Sequence, residues 1–239
     1  MEKLKIYTIC SVSLICIFLF GGLLYGAWNY DEAVSVSAEK FVQPVIVIDA
    51  GHGGEDGGAS ANGLLEKDIN LNIALKLRDM LTAGGYKTVM VREEDISVYD
   101  NAKGTVRQRK VSDLKNRVEM INKSKGNILV SIHQNKFEQS QYFGTQIFYS
   151  KNNAKSAVLA EELRKSVTGL LQPDNKRELK QADSSIYILD KAEVPAVIVE
   201  CGFLSNEEEA KKLAESDYQQ KMAFAVYSGI IGYVNKGRT

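Results

Sequence analysis

Two histidines are all the chain contains, and both follow short apolar runs. His52 comes after Val45-Ile46-Val47-Ile48-Asp49 and sits in a glycine-rich stretch, Ala50-Gly51-His52-Gly53-Gly54-Glu55-Asp56-Gly57-Gly58. His133 comes after Asn127-Ile128-Leu129-Val130-Ser131-Ile132. Runs of this kind read as strands buried on both faces, and an open α/β sheet carries its chemistry just past the strand ends. Glu200 closes a third such run, Pro195-Ala196-Val197-Ile198-Val199, and Glu66 opens an amphipathic helix. If these strands run parallel, all four side chains meet at one edge of one sheet.

Two imidazoles and a carboxylate, with a fourth position left for water, make a catalytic zinc set. A metal there lowers the pKa of bound water towards ~7 and polarises a carbonyl. With Glu66 as the carboxylate ligand, Glu200 remains as a general base that carries a proton to a leaving nitrogen. From spacing alone Glu66 reads equally well as a charge that complements the start of its helix. A carboxylate at the end of a buried strand is costly unless it is used, which marks Glu200. Asp49 and Asn135 read as supporting or structural residues. Cys201 reads as a small core residue, because no histidine is free to activate it. The glycine-rich stretch is not a dinucleotide loop: the third glycine falls one position late, and Glu55 and Asp56 would repel a pyrophosphate.

The elements that must position these groups alternate. The expected order is a strand at Val45–Asp49, a loop through Asn62-Gly63, a helix at Glu66–Ala83 ended by Gly84-Gly85, and a strand at Lys87–Arg92. A long polar loop, Glu93–Val111, carries Arg107, Arg109 and Lys110. A helix capped by Ser112 comes next, with Leu114, Val118 and Ile121 on one face, and then the strand ending at His133. Beyond a polar loop at Gln134–Phe143, a strand at Gly144–Ser150 precedes a helix to Leu171 with Leu159, Leu163, Val167 and Leu170 inward. A loop at Gln172–Ser185 leads to a short strand at Ile186–Leu189 and the strand ending at Glu200. Ser205 and Ser216 each fit a capping box for the last two helices. The fold class is α/β: a three-layer sandwich with a twisted, mostly parallel sheet and helices on both faces.

Composition narrows the function. The chain has 239 residues, 44% of them hydrophobic, enough for one substantial core of roughly 190 residues plus an appendage. Lys+Arg and Asp+Glu both number 30, so a basic nucleic-acid surface is not expected. Of three cysteines, Cys10 and Cys16 lie in the N-terminal apolar segment, leaving Cys201 alone in the main domain. That excludes an intradomain disulfide and a cysteine-built structural zinc site. Residues 1–30 read as a membrane anchor: Lys3 and Lys5 precede about 25 uncharged residues, which places the chain beyond Asp31 outside the cytoplasm. A cleaved signal peptide is the competing reading. Residues 31–43 read as a linker and 44–236 as the catalytic domain.

Four segments carry a family resemblance: Ile48-Asp49-Ala50-Gly51-His52-Gly53-Gly54, Leu65-Glu66-Lys67-Asp68-Ile69-Asn70-Leu71, Ser131-Ile132-His133-Gln134-Asn135 and Val199-Glu200-Cys201-Gly202-Phe203-Leu204-Ser205-Asn206. Together they resemble the zinc-dependent N-acetylmuramoyl-L-alanine amidases of bacterial cell walls. The resemblance implies one Zn2+ held by His52, Glu66 and His133, with Glu200 as the catalytic glutamate. It implies peptidoglycan as substrate, cut between the lactyl group of N-acetylmuramic acid and L-alanine. The overall layout and the basic stretch Lys103–Lys110 resemble the sporulation amidases of endospore formers. That narrower likeness implies spore cortex peptidoglycan, a step towards muramic-δ-lactam, the space between the forespore membranes, and a lipoprotein partner that promotes activity. The long loops read as walls of a substrate groove, with Tyr142, Phe143, Arg107 and Arg177 as candidate contacts. Two alternatives remain, a zinc carboxypeptidase-like peptidase and a non-catalytic wall-binding scaffold.

Overall fold

The computed structural model describes residues 18–22, 25, 43–99 and 104–237. The expected anchor and linker fall almost entirely outside these residues. Among the described residues no helix is long and apolar enough to cross a membrane.

In chain order the elements are β1 (Val45–Ala50), a hairpin of β2 (Ser60–Ala61) and β3 (Leu64–Leu65), α1 (Glu66–Ala83), β4 (Lys87–Met90), α2 (Val106–Lys123), β5 (Ile128–Asn135), β6 (Gln146–Tyr149), α3 (Lys155–Leu170), β7 (Lys180–Gln181), α4 (Tyr187–Lys191), β8 (Ala196–Phe203), α5 (Glu207–Ala214) and α6 (Ser216–Lys236). The main sheet runs β4-β1-β5-β8-β6-β7. Its first four strands are parallel, β6 is antiparallel to β8, and β7 is parallel to β6.

Strand alternation divides the core into two layers. Ile46, Ile48, Val130, Ile132, Val197 and Val199 face Ile73 and Leu77 of α1, Leu159 and Leu163 of α3, and Met222 and Val226 of α6. Val47, Leu129 and Ile198 face Ile121 of α2 and Ile188 and Leu189 of α4. Helices therefore cover both faces, as the alternating pattern implies. His133 shares the parity of Leu129 and Glu200 that of Ile198, so both point towards the layer of α2 and α4.

Local chemistry overrides several sequence expectations. The turn at Asn62-Gly63 is a hairpin, because both residues take positive φ (51° and 76°). Arg107, Arg109 and Lys110 lie on the first turns of α2 rather than in a loop. Thr105, not Ser112, caps that helix, in a capping box with Gln108. Ile186–Leu189 is not a strand: residues from Tyr187 form the single-turn helix α4, a four-residue apolar run being compatible with either state. The loop at Gln172–Ser185 contributes β7 to the sheet edge. Asn206 rather than Ser205 caps α5, and α6 starts without a side-chain cap. Leu114 and Leu170 are exposed (40% and 56%) rather than inward.

One polar group crosses the apolar layers. Arg117 of α2 is 2% exposed; its Nη1 donates to Asp49 Oδ1 at 2.6 Å and its Nε donates to Asp113. Asp49 also accepts from Ser131 Oγ at 2.6 Å. Burial works to raise the Asp49 pKa, but the Arg117 guanidinium, His133 and the Ser131 hydrogen bond together outweigh it and hold the carboxyl below its usual range. Removing one partner of such a pair strands the other. Arg117→Met is expected to cost about 3–5 kcal/mol in urea unfolding at pH 7, and Asp49→Asn in the same chain should recover part of that loss.

Candidate metal centre and active site

The turn after β1 is held in a conformation that its sequence does not favour. His52 has φ 62°, the left-handed region, which costs a non-glycine residue about 1–2 kcal/mol. Two buried arginines clasp its carbonyls. Arg92 donates from Nε to Ala50 O (2.8 Å) and from Nη2 to Gly51 O (3.0 Å). Arg117 donates from Nη1 to Ala50 O (3.0 Å) and from Nη2 to His52 O. Gly51 is required by close approach: a Cβ there would stand 2.2 Å from His133 Nε2. The chain then doubles back, with Gly53 N donating to Asp56 O at 3.0 Å and Asp56 N to Gly53 O at 3.1 Å. This brings Asp56 Oδ2 to 2.8 Å from His52 Nδ1. A neutral His52 giving its Nδ1–H to Asp56 keeps the Nε2 lone pair, and that nitrogen lies 3.3 Å from Glu66 Oε2.

Glu66 enters from the other layer, at the start of α1, directly after the β2–β3 hairpin. It is 3% exposed, and its carboxylate is not merely complementing a helix terminus. Oε2 accepts from Ala59 N at 2.7 Å. Oε1 accepts from Gln134 N at 3.1 Å and Asn70 Nδ2 at 3.3 Å, and lies 2.8 Å from His133 Nδ1. The two imidazole rings sit edge to face, 5.0 Å between centroids. Ligand atoms of His52, Glu66 and His133 all fall within 4.8 Å of one another, so the structure brings together the three residues singled out from the sequence.

Glu200 completes the group. In the β5–β8 ladder it is the register partner of His133, the position of closest side-chain approach between neighbouring strands. Its Oε2 is buried and, among the described residues, has no hydrogen-bond partner.

The charges follow from these contacts. Burial alone would depress the His52 imidazolium, but the Asp56 and Glu66 carboxylates raise its pKa to about 9. Burial would raise Glu66, but the imidazoles of His133 and His52 hold it well below the usual carboxylate range. Hydrogen bonding to His52 likewise lowers Asp56 against a smaller opposing effect of burial. Glu200 lacks such donors; burial lifts it to about 7, with His133 opposing and Glu66 adding.

The remaining candidates separate. Cys201 is fully buried on the opposite face of β8, and burial pushes its thiol up, consistent with a core residue. Asn135 bonds its own loop, accepting from Lys136 N at 2.8 Å. Arg107 is exposed on α2, while its neighbours reach the histidine turn: Arg109 pairs with Glu55 and Lys110 with Asp56. Tyr142, Phe143 and Arg177 belong to a separate cluster around Phe203. Sequence reasoning missed Asp56, Asn70, Arg92 and Arg117 as supports of the site. Asp56 had a local signal, the His-x-x-x-Asp spacing inside a glycine-rich turn; the arginines act across 41 or more positions and had none.

Known proteins share this arrangement of sequence and fold. The family model described as N-acetylmuramoyl-L-alanine amidase matches residues 46–232. The germination-specific N-acetylmuramoyl-L-alanine amidase of Bacillus subtilis (strain 168) is 35% identical over 193 residues, covering 79% of each chain. Among solved structures, the CwlD amidase from Clostridioides difficile, determined in complex with the GerS lipoprotein, superposes with a TM-score of 0.79 at 43% identity over 81% of this chain and 100% of that one. The amidase AmiC2 of Nostoc punctiforme gives 0.68 at 29% identity, over 80% and 97%. A family match across nearly the whole described α/β unit, with relatives this similar over most of their own length, makes the chain a member of the N-acetylmuramoyl-L-alanine amidase family.

Proposed function

We propose that the chain hydrolyses the amide between the lactyl group of N-acetylmuramic acid and the L-alanine of the stem peptide in peptidoglycan. In this reading one Zn2+ is held by His52, Glu66 and His133, and Glu200 carries the proton. The observation that carries it is the orphaned oxygen of Glu200. A buried carboxylate oxygen without a partner is expensive, and this one stands beside His133 in register with it. The donor set also fits the ion: two imidazole nitrogens and a carboxylate oxygen are the ligands that a catalytic zinc site takes, and the family is generally zinc-dependent. Bound there, Zn2+ supplies a Lewis acid for the carbonyl oxygen and lowers the pKa of water to ~7.

The chain's own residues do the rest. Glu200, lifted to about 7, takes a proton from the attacking water at Oε2 and returns it to the departing alanine nitrogen. Asp56 fixes the His52 ring so that Nε2 faces the site. Asn70 and Gln134 hold the Glu66 carboxylate in place. Arg92 and Arg117 hold the histidine turn.

The reading extends to spore cortex peptidoglycan, as a step towards muramic-δ-lactam, supported by the likeness to the germination-specific amidase. It further takes residues 1–30 as an anchor that leaves the catalytic unit outside the cytoplasm, and a lipoprotein as activating partner, supported by the complex in which the CwlD amidase was solved.

The reaction is tested by muropeptide analysis of treated peptidoglycan. The full chain should release stem peptides that begin with L-alanine, leaving sugar-linked lactyl carboxylates and no cut inside the stem. Glu200→Gln should lower release by about 10²–10⁴-fold with zinc content unchanged; unaltered release would remove Glu200 from the reaction.

Metal uptake has its own signature. With its pKa raised to about 9, His52 is protonated at neutral pH in the metal-free protein. Its ion pairs stabilise that state fully below the unfolded value of about 6.5 and are lost as pH rises through about 9. The melting temperature of chelator-treated protein should therefore fall between pH 6.5 and 9, and that of zinc-loaded protein should not follow it. Calorimetry in buffers of different ionisation enthalpy near pH 6, where a bound water keeps its protons, should record about one proton released from His52 per zinc. No proton release there would contradict the His52 assignment.

A further inference from the structure

Beyond the metal centre, the ends of β5 and β8 carry a second group of side chains that the chemistry above does not use. Phe203, 1% exposed, lies under the guanidinium of Arg177, whose Cζ stands 4.4 Å from the ring centroid. Phe137 and Tyr142, both substantially exposed, pack against the same ring, with centroids 5.8 and 6.4 Å away. Arg177 Cζ also stands 5.8 Å from the Tyr142 ring, and Arg177 Nε donates to Phe143 O at 2.7 Å. The Arg177 backbone is fixed as well, its N donating to Asn175 Oδ1 at 3.0 Å. The guanidinium thus has its plane stacked and one nitrogen committed, and it borders an open recess of about 330 Å³.

No acid within the described residues takes its remaining edge. Glu209 senses its charge, but both Glu209 oxygens are occupied, by Gly144 N at 2.9 Å and Phe203 N at 2.8 Å. Asp174 and Lys176 add one charge of each sign to the rim. A stacked, pre-set guanidinium with a free edge is a receptor for a planar carboxylate.

We propose that Arg177 is the subsite for a free carboxylate of the stem peptide, an inference that rests on the amidase reading above. Its position fits. Phe203 lies three residues beyond Glu200 but, across a β-bulge, pairs with Asn135, two beyond His133; Phe137 lies two residues past the end of β5. At ~3.3 Å per residue that is ~7–13 Å beyond the His133–Glu200 pair. An extended peptide covers ~3.3–3.6 Å per residue, so the carboxylate belongs to a residue two or three positions along the stem. The exposed faces of Phe137 and Tyr142 would line the path between.

The test uses the full chain and three soluble muropeptides: one with every stem carboxylate free, one amidated at the second residue and one amidated at the third. In the wild type, amidation at one of these positions should lower kcat/KM by about ten- to a hundredfold, mainly through KM. Arg177→Gln should cleave all three alike, at the lower value, and Arg177→Lys should restore part of the preference. Wild-type cleavage of all three with equal efficiency would overturn the subsite and leave the amidase reading standing. So would an Arg177→Gln chain that keeps the wild-type preference. Cleavage of none of the three would overturn the amidase reading, and this inference with it. The wild-type comparison decides without any variant, should the substitutions disturb folding through Phe143.

Discussion

A carboxylate stays ionised inside a protein only where donors replace the water it has lost. Glu66 meets that condition from several directions at once. The hairpin gives Ala59 N, β5 gives Gln134 N, α1 itself gives Asn70 Nδ2, and two imidazoles close the remainder. The donors arrive on four separate stretches of chain, the histidine turn, the approach to the hairpin, α1 and β5, so all of them must be in place before this charge is tolerable. The fold and the site are therefore one arrangement. The parallel strands deliver the histidines to the same edge, the hairpin sets the start of α1, and Glu66 ties both together.

The same economy governs the turn that carries His52. A left-handed histidine between glycines has little reason to hold its shape, and Arg92 and Arg117 supply one by gathering the carbonyls of Ala50, Gly51 and His52. Arg117 is itself neutralised by Asp49 and Asp113, so its charge is used for shape and not left uncompensated beside a cation site. Asp56 extends the network outward, bonding His52 on one oxygen and Lys110 on the other. Glu200 departs from this pattern: among the described residues its buried Oε2 has no hydrogen-bond partner.

Much of this was legible in the amino-acid sequence, and the reasons are physical. Strands buried on both faces must be continuously apolar, so β1, β5 and β8 announce themselves, and the residues closing them stand out by contrast. Glu66 was visible as a helix opener but ambiguous in role, because four of its five partners come from outside its helix. The start of α2 was hidden by its composition: Arg107, Arg109 and Lys110 look like loop residues, although Thr105 and Gln108 carry a valid cap. The α4 segment failed for a different reason, since Ile186–Leu189 is too short for a period of two and one of 3.6 to differ. Arg92 and Arg117 could not be read as buried supports, because burial of an arginine is decided by carbonyls far away in the chain. The aromatic platform under Arg177 joins residues from two loops and a strand end, and only the folded chain shows that they meet.

The central claim is that His52, Glu66 and His133 form one metal centre. X-ray absorption at the zinc edge of the full chain, loaded with one equivalent of Zn2+, tests it most directly. The account predicts a shell of nitrogen and oxygen at about 2.0–2.2 Å with the outer scattering of two imidazoles, and loss of that signal in the His52→Ala, His133→Ala double variant. A shell containing sulfur, a single imidazole, or an unchanged spectrum in the double variant would contradict it.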